Sequence, residues 1–187
     1  MFEVHSTFSL CGYNGLPVPA VSRHAQLFNQ AISLFNKARR NSIFVRIRAA
    51  LLRRTTALLD LSILPQNRVL NQCYGGTKTV NLDQIIGTLG RVGDFDNHFY
   101  PLSLRTRSRW ISVAMARSLC LPLEPVKLIQ VGEHYFVEDG HHRISVARTR
   151  GETAIDAEII IWKVSGSLPW ETRPASDAHP VLEHLSI

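Results

Sequence analysis

Only three cysteines, Cys11, Cys73 and Cys120, occur in the 187 residues. They are odd in number, far apart and without a C-x-x-C pair, which excludes a disulfide framework and a thiolate zinc site. Reduced, mostly buried thiols are expected instead. Long apolar runs are missing too. The longest, Ala49-Ala50-Leu51-Leu52 and Ile159-Ile160-Ile161-Trp162, fall far short of the ~20 residues that a membrane span needs. The first residues carry an early acid, Glu3, and no apolar h-region, so no secretory signal is read and a cytoplasmic location is expected. Between residues 4 and 59 there is no Asp or Glu at all.

That last absence is the most telling. The same stretch holds eight cations, namely Arg23, Lys37, Arg39, Arg40, Arg46, Arg48, Arg53 and Arg54, while the rest of the chain holds thirteen cations against fifteen acids. The net charge of +6 is therefore a regional property. Proline and glycine are absent from about Val21 to Asp60, so this stretch reads as one or two helices, with a break near Asn41-Ser42, where either residue could cap a second helix. In the second helix Ile43, Phe44, Ile47, Leu51 and Leu58 share one face and Arg46 and Arg53 lie on the other. Three readings stay open for this cationic amphipathic helix: a helix docked on its own domain with a solvated Arg face, a contact with the phosphate backbone of DNA through Arg39, Arg40, Arg46 and Arg53, or an acidic partner or anionic membrane surface. No helix-turn-helix, zinc finger or RNP pattern accompanies it, which leaves sequence-specific DNA reading without an instrument.

With 45% hydrophobic residues the chain can bury an ordinary core, and its length suits one domain with an extension. Disorder throughout is excluded. Residues 77–82 alternate as a short strand, and Asp83 could cap a helical turn through Ile85 and Ile86. Gly87, Gly90 and Gly93 then break the pattern. The loop Gly90-Arg91-Val92-Gly93-Asp94-Phe95-Asp96 combines a cation with two carboxylates, and Phe95 and Phe99 are candidates for the core. A helix is expected from about Leu104 to Leu119. Residues 125–131 and 135–137 read as two strands of a hairpin, and residues 155–161 as a further strand.

Between the hairpin and that strand lies Asp139-Gly140-His141-His142-Arg143, leading into a short helix that Gly151 stops. A polar strand-to-helix turn offers free backbone N–H groups at the positive end of a helix dipole. Gly140 permits close approach, Arg143 can make a bidentate contact with phosphate oxygens, and His141 or His142 can donate hydrogen bonds. Asp139 would repel a bare phosphate, so it reads as a Mg²⁺ ligand, a general base or a helix cap. Adjacent histidines on a helix diverge by ~100° and are poorly placed to share a transition metal.

From about Thr79 to Trp162 the sequence resembles the ParB/sulfiredoxin-like superfamily. Two blocks carry the resemblance: Val80 to Arg91 running into Asp94-Phe95-Asp96, and Tyr135-Phe136-Val137-Glu138-Asp139-Gly140-His141-His142-Arg143 with Ala147 and Gly151. The resemblance implies a compact α+β domain with a small mixed β-sheet, binding a nucleoside triphosphate or diphosphate with its phosphates over the second block. It implies Gly140, His141, His142, Arg143 and Arg91 as phosphate ligands, Asp139 and His141 as catalytic residues, and Asp139, Asp94 and Asp96 as candidate Mg²⁺ ligands. Phosphoryl transfer, as an NTPase or a small-molecule kinase, is the reaction class to expect. His141 stands where sulfiredoxin has its essential cysteine, so sulfinic acid reduction is not expected. The alternative is a non-enzymatic, DNA-associated accessory protein of chromosome-partitioning type. The expected organisation is a basic helical extension over residues 1–75, the α+β domain over 76–165 and a proline-containing tail over 166–187.

Overall fold

The computed structural model describes residues 20–168 and residue 170. It is α+β: a mixed six-stranded sheet with three α-helices among the described residues. The strands are β1 (Leu59–Asp60), β2 (Val69–Asn81), β3 (Ile85–Thr88), β4 (Val126–Val131), β5 (His134–Asp139) and β6 (Ala154–Val164), in the sheet order β1-β3-β5-β4-β6-β2. The helices are α1 (Ala20–Leu51), α2 (Arg107–Ser118) and α3 (His141–Arg150). β4 and β5 form the expected antiparallel hairpin, and β4 also pairs with β6 in parallel.

Central strands buried on both faces need apolar residues in unbroken runs rather than in alternation. β4 and β5 meet this need. Leu128 and Val137 belong to one core with Phe35, Trp110 and Ile144 from the helices. Ile129 and Phe136, one residue away, belong to a second core with Leu61, Leu64, Leu168 and Trp170. Trp170 therefore docks on its own domain, its ring centroid 4.8 Å from that of Phe136. The segment expected as a tail from residue 166 thus begins packed, and residues 171–187 lie outside the described residues.

The boundary expected at 75/76 falls inside β2. That strand starts at Val69 and pairs along β6 to Asn81, with register irregularities between Val69 and Asn71 and between Tyr74 and Thr77. Nor does the basic stretch stand apart. α1 runs unbroken through Asn41 and Ser42, because Ser42 is buried and its hydroxyl donates to Arg39 O at 2.9 Å instead of capping a new helix. Leu27, Ala31, Phe35, Ala38 and Ser42 form its buried stripe, at the spacing of one helical face. Phe35 meets Trp110 of α2 edge-on at 5.4 Å.

Two further expectations are corrected. Asp83 caps no helical turn: Asn81 caps a short 3-10 turn at Leu82–Gln84 by accepting from Asp83 N, and Ile85–Thr88 is β3. Gly87 inside β3 is a matter of space, since a Cβ there would lie 2.4 Å from Leu59 O and 2.6 Å from the Phe136 ring. Cys73 and Cys120 are exposed rather than buried, and Cys11 lies outside the described residues.

Candidate functional site

β5 ends at Asp139 and α3 begins at His141, with Gly140 as the hinge between them. Gly140 has φ 101°, a left-handed conformation that disfavours any side chain. A Cβ would also sit 2.5 Å from Val126 Cγ1. Glycine is therefore required here twice over, and its effect is to turn the chain sharply enough that α3 starts immediately beside β4. No side chain caps α3. Its first helical hydrogen bond is Ile144 N to Gly140 O at 3.0 Å, so the N–H groups of His141, His142 and Arg143 have no partner inside the helix.

The five residues singled out from the sequence then divide. His141 points inward. It is 2% exposed, its Nε2 lies 2.6 Å from Thr88 Oγ1, and its ring stacks on Phe95 at 6.0 Å. Burial, then the charge of Arg91, pushes its pKa down to about 4. This neutral imidazole, bonded to Thr88, packs against the core and also lines, with Asp139, the cleft at the start of α3.

Arg143 is taken up by the protein itself. Its Nη1 donates to Glu124 O and, at 3.0 Å, to Pro125 O, while its Nη2 donates to the Asp139 carboxylate at 2.7 Å. It clamps the segment before β4 onto the start of α3 and lines the cleft beside that turn. Asp139 is in turn the partner of Arg143, with its side chain about half exposed.

His142 takes the other direction. Its ring meets Phe95 edge-on at 5.4 Å, and its Nε2 is buried without a hydrogen-bond partner. Burial, followed by the charges of Arg109 and Arg91, pushes its pKa down to about 4. It lines a cleft of about 330 Å³ whose wall includes the first turn of α3, Arg91, Arg109, Val113, Leu123 and Glu124. Arg91 is half exposed and lies 4.0 Å from Asp94. A larger cleft, about 540 Å³, opens between Leu64, Leu70, Gln72, Leu89 and Trp162, and it has no charged residue in its lining. The charged side chains, cations and carboxylates alike, line the smaller one.

Arg109 is the site residue that the sequence reading missed. The signal was there: α2 opens with Arg107 and Arg109 and has no acid in its first turn, which places cations at the dipole end that disfavours them. Such a cost is more readily borne where an anion offsets it.

Asp96 is the other correction. It is fully buried, and its Oδ1 accepts the backbone N–H groups of His98 and Tyr100 at 2.9 and 2.8 Å. It folds the loop that carries Phe95 and Phe99 into the core. Burial outweighs these hydrogen bonds and the charge of Arg148, raising its pKa to about 6. The Mg²⁺ set expected from Asp94, Asp96 and Asp139 therefore loses a member, and among the described residues no three His, Cys, Asp or Glu come together as a group that could hold a metal ion. Of the expected nucleic-acid residues, Arg40 and Arg46 are exposed on α1, Arg39 is half-buried, and Arg53 is exposed just past the helix end.

No family model and no curated protein matches the chain. Among solved structures, it is similar to the crystal structure of sulfiredoxin from Arabidopsis thaliana, at 19% identity, over 44% of this chain and 82% of that one, with a TM-score of 0.32.

Proposed function

We propose that the cleft at the start of α3 binds the phosphates of a nucleoside di- or triphosphate. The observation that carries this reading is the convergence on one cleft of the uncapped α3 N-terminus with Arg91, Arg109 and His142. Backbone N–H groups at the positive end of a helix dipole and two guanidinium groups complement a polyphosphate in both geometry and charge. The His142 ring also lines the cleft, with its Nε2 buried and without a hydrogen-bond partner. Mg²⁺ would arrive on the phosphates with most of its waters, with Asp94 and Asp139 at the rim as acceptors for those waters. The reading is one of binding. His141 is bonded to Thr88 and Asp139 to Arg143, and those contacts would have to be exchanged for either residue to act on a substrate.

Thermal shift and calorimetric titration with ATP, ADP, CTP and GTP, with and without Mg²⁺, test it. Stabilisation by one nucleotide that weakens about tenfold in Arg109→Ala is expected, the scale of losing one charge-assisted contact. No shift with any nucleotide at several millimolar would overturn it. The alternative, DNA held by α1, draws on exposed Arg40, Arg46, Arg48 and Arg53. The same helix also presents large apolar side chains to solvent, which a phosphate backbone does not accommodate.

A further inference from the structure

Of the twelve large apolar side chains exposed among the described residues, five lie within residues 43–52: Ile43 at 48%, Phe44 at 70%, Ile47 at 54%, Leu51 at 79% and Leu52 at 52%. The sequence pattern put Ile43, Phe44, Ile47 and Leu51 on one face, and the structure keeps them together, but that face is turned away from the core. The docked stripe of α1 ends at Ser42. At ~100° per residue, Ile43, Ile47, Leu51 and Phe44 fall within an arc of about 100°, and Ile47 and Leu51 are almost diametrically opposite the buried stripe. Arg46 borders this arc on one side and Lys37 and Arg48 on the other, with Arg40 inside it. All are exposed.

We propose that the C-terminal half of α1 is an interfacial membrane element, which lies on an anionic bilayer with these four apolar side chains in the headgroup–acyl boundary and its arginines among the lipid phosphates. The occupant must be anionic, because residues 4 to 59 contain eight cations and no acid. A second copy is disfavoured on the same ground, since packing this face on itself would set arginine against arginine. The occupant must also accept large apolar groups, which nucleic acid does not. Four exposed side chains on one helix face fall short of the roughly 20–30 residues a side that a stable protein interface takes. A bilayer asks for no such area or shape. It takes a convex amphipathic helix with an apolar face flanked by Arg, whose long side chains reach up to the phosphates. No helix among the described residues is long and apolar enough to cross a membrane, so this contact is interfacial.

The test is flotation of the full chain with vesicles of one part phosphatidylglycerol to two of phosphatidylcholine, against vesicles of phosphatidylcholine alone. Partitioning onto the anionic vesicles is expected. It should fall about tenfold in Phe44→Ser/Ile47→Ser, which removes apolar insertion, and about a hundredfold in Arg40→Gln/Arg46→Gln/Arg48→Gln, which removes the attraction to lipid phosphate. Both variants alter exposed positions and should keep the wild-type unfolding midpoint. Failure to float with anionic vesicles, or equal partitioning of wild type and Phe44→Ser/Ile47→Ser, overturns the proposal. Duplex DNA binding that is unchanged in Phe44→Ser/Ile47→Ser, without vesicle binding, assigns the arginines to nucleic acid instead. Self-association abolished by the same pair, without vesicle binding, assigns the stripe to a second copy.

Discussion

His141 and His142 are adjacent in sequence, yet they belong to two different regions of the molecule. The inner side of the turn holds His141, Thr88, Phe95 and Asp96, all buried. The outer side holds His142, Arg91 and Arg109 around the cleft, whose lining His141 also joins. One step along a helix rotates a side chain by ~100°, which suffices to enclose one imidazole and leave the other partly open. A run of consecutive polar residues is thus neither all functional nor all structural: the first turn of the helix sorts it.

The largest effect should come from the hinge that divides the two sides. Gly140→Ala forces a left-handed φ on alanine and drives its Cβ into Val126, and it should cost about 3 kcal/mol or more in urea unfolding. Adding Val126→Ala should recover part of that loss and leave the backbone strain. Full recovery would show that crowding alone excludes a side chain at residue 140.

Acid comes next. The folded pKa of each histidine is about 4 against an ordinary 6.5, so the native state binds fewer protons than the unfolded chain between those values, and stability falls as pH falls from 6.5 towards 4. Asp96 has the opposite sign. Its pKa of about 6 against 3.8 makes the native state bind more protons, and its contribution improves as pH falls from 6 to 3.8. Two depressed imidazoles outweigh one raised carboxyl, and a net loss on the order of 3 kcal/mol is expected between pH 7 and pH 4. Asp96→Asn should be more stable than wild type at pH 7 and lose stability more steeply in acid. A flat profile in wild type would break the assignment of both imidazoles as neutral.

The histidines themselves should separate by a smaller margin. His141→Ala opens a void beside Phe95 and leaves Thr88 Oγ1 with only its 3.3 Å bond to Val137 O, at about 2–3 kcal/mol. His142→Ala should cost under about 1 kcal/mol, because its Nε2 has no bond to lose, while nucleotide stabilisation disappears. Equal costs would erase the distinction between the two sides. The smallest effects on stability belong to Arg91→Ala and Arg109→Ala, within about 0.5 kcal/mol. Each should weaken nucleotide binding about tenfold, and Arg143→Ala should instead destabilise the fold by releasing the Glu124 and Pro125 carbonyls.

Local patterns were legible wherever the signal was itself local. The β4–β5 hairpin, the glycine stop after α3 and the places of Phe95, Phe99 and Trp110 in the core all follow from turn chemistry and apolar spacing. The break expected at Asn41-Ser42 failed because the same serine that can cap a helix can also bond back to the turn before it. Asp83 failed similarly, since Asn81 two residues earlier took the capping role.

The candidate site was legible only as a segment. Residues 139–143 were singled out from order alone, but which of them face a ligand depended on partners distant in the chain. Thr88 is 53 residues from His141, and the Glu124 carbonyl is 19 from Arg143. Arg109 entered the site from α2, and no spacing rule connects it to the turn. The face of α1 tells the same story in reverse, since Ile43, Phe44, Ile47 and Leu51 share a face that turns away from the core, while Leu58, expected with them, lies beyond the helix end and is buried.

By itself, then, the sequence determined α2, α3, the β4–β5 hairpin and β6, the acid-free cationic stretch and the glycine hinge, because each is set by periodicity, composition or a single φ. The tertiary structure alone decided which polar groups were enclosed and which stayed open, because burial and hydrogen-bond satisfaction are properties of neighbours brought together by the sheet.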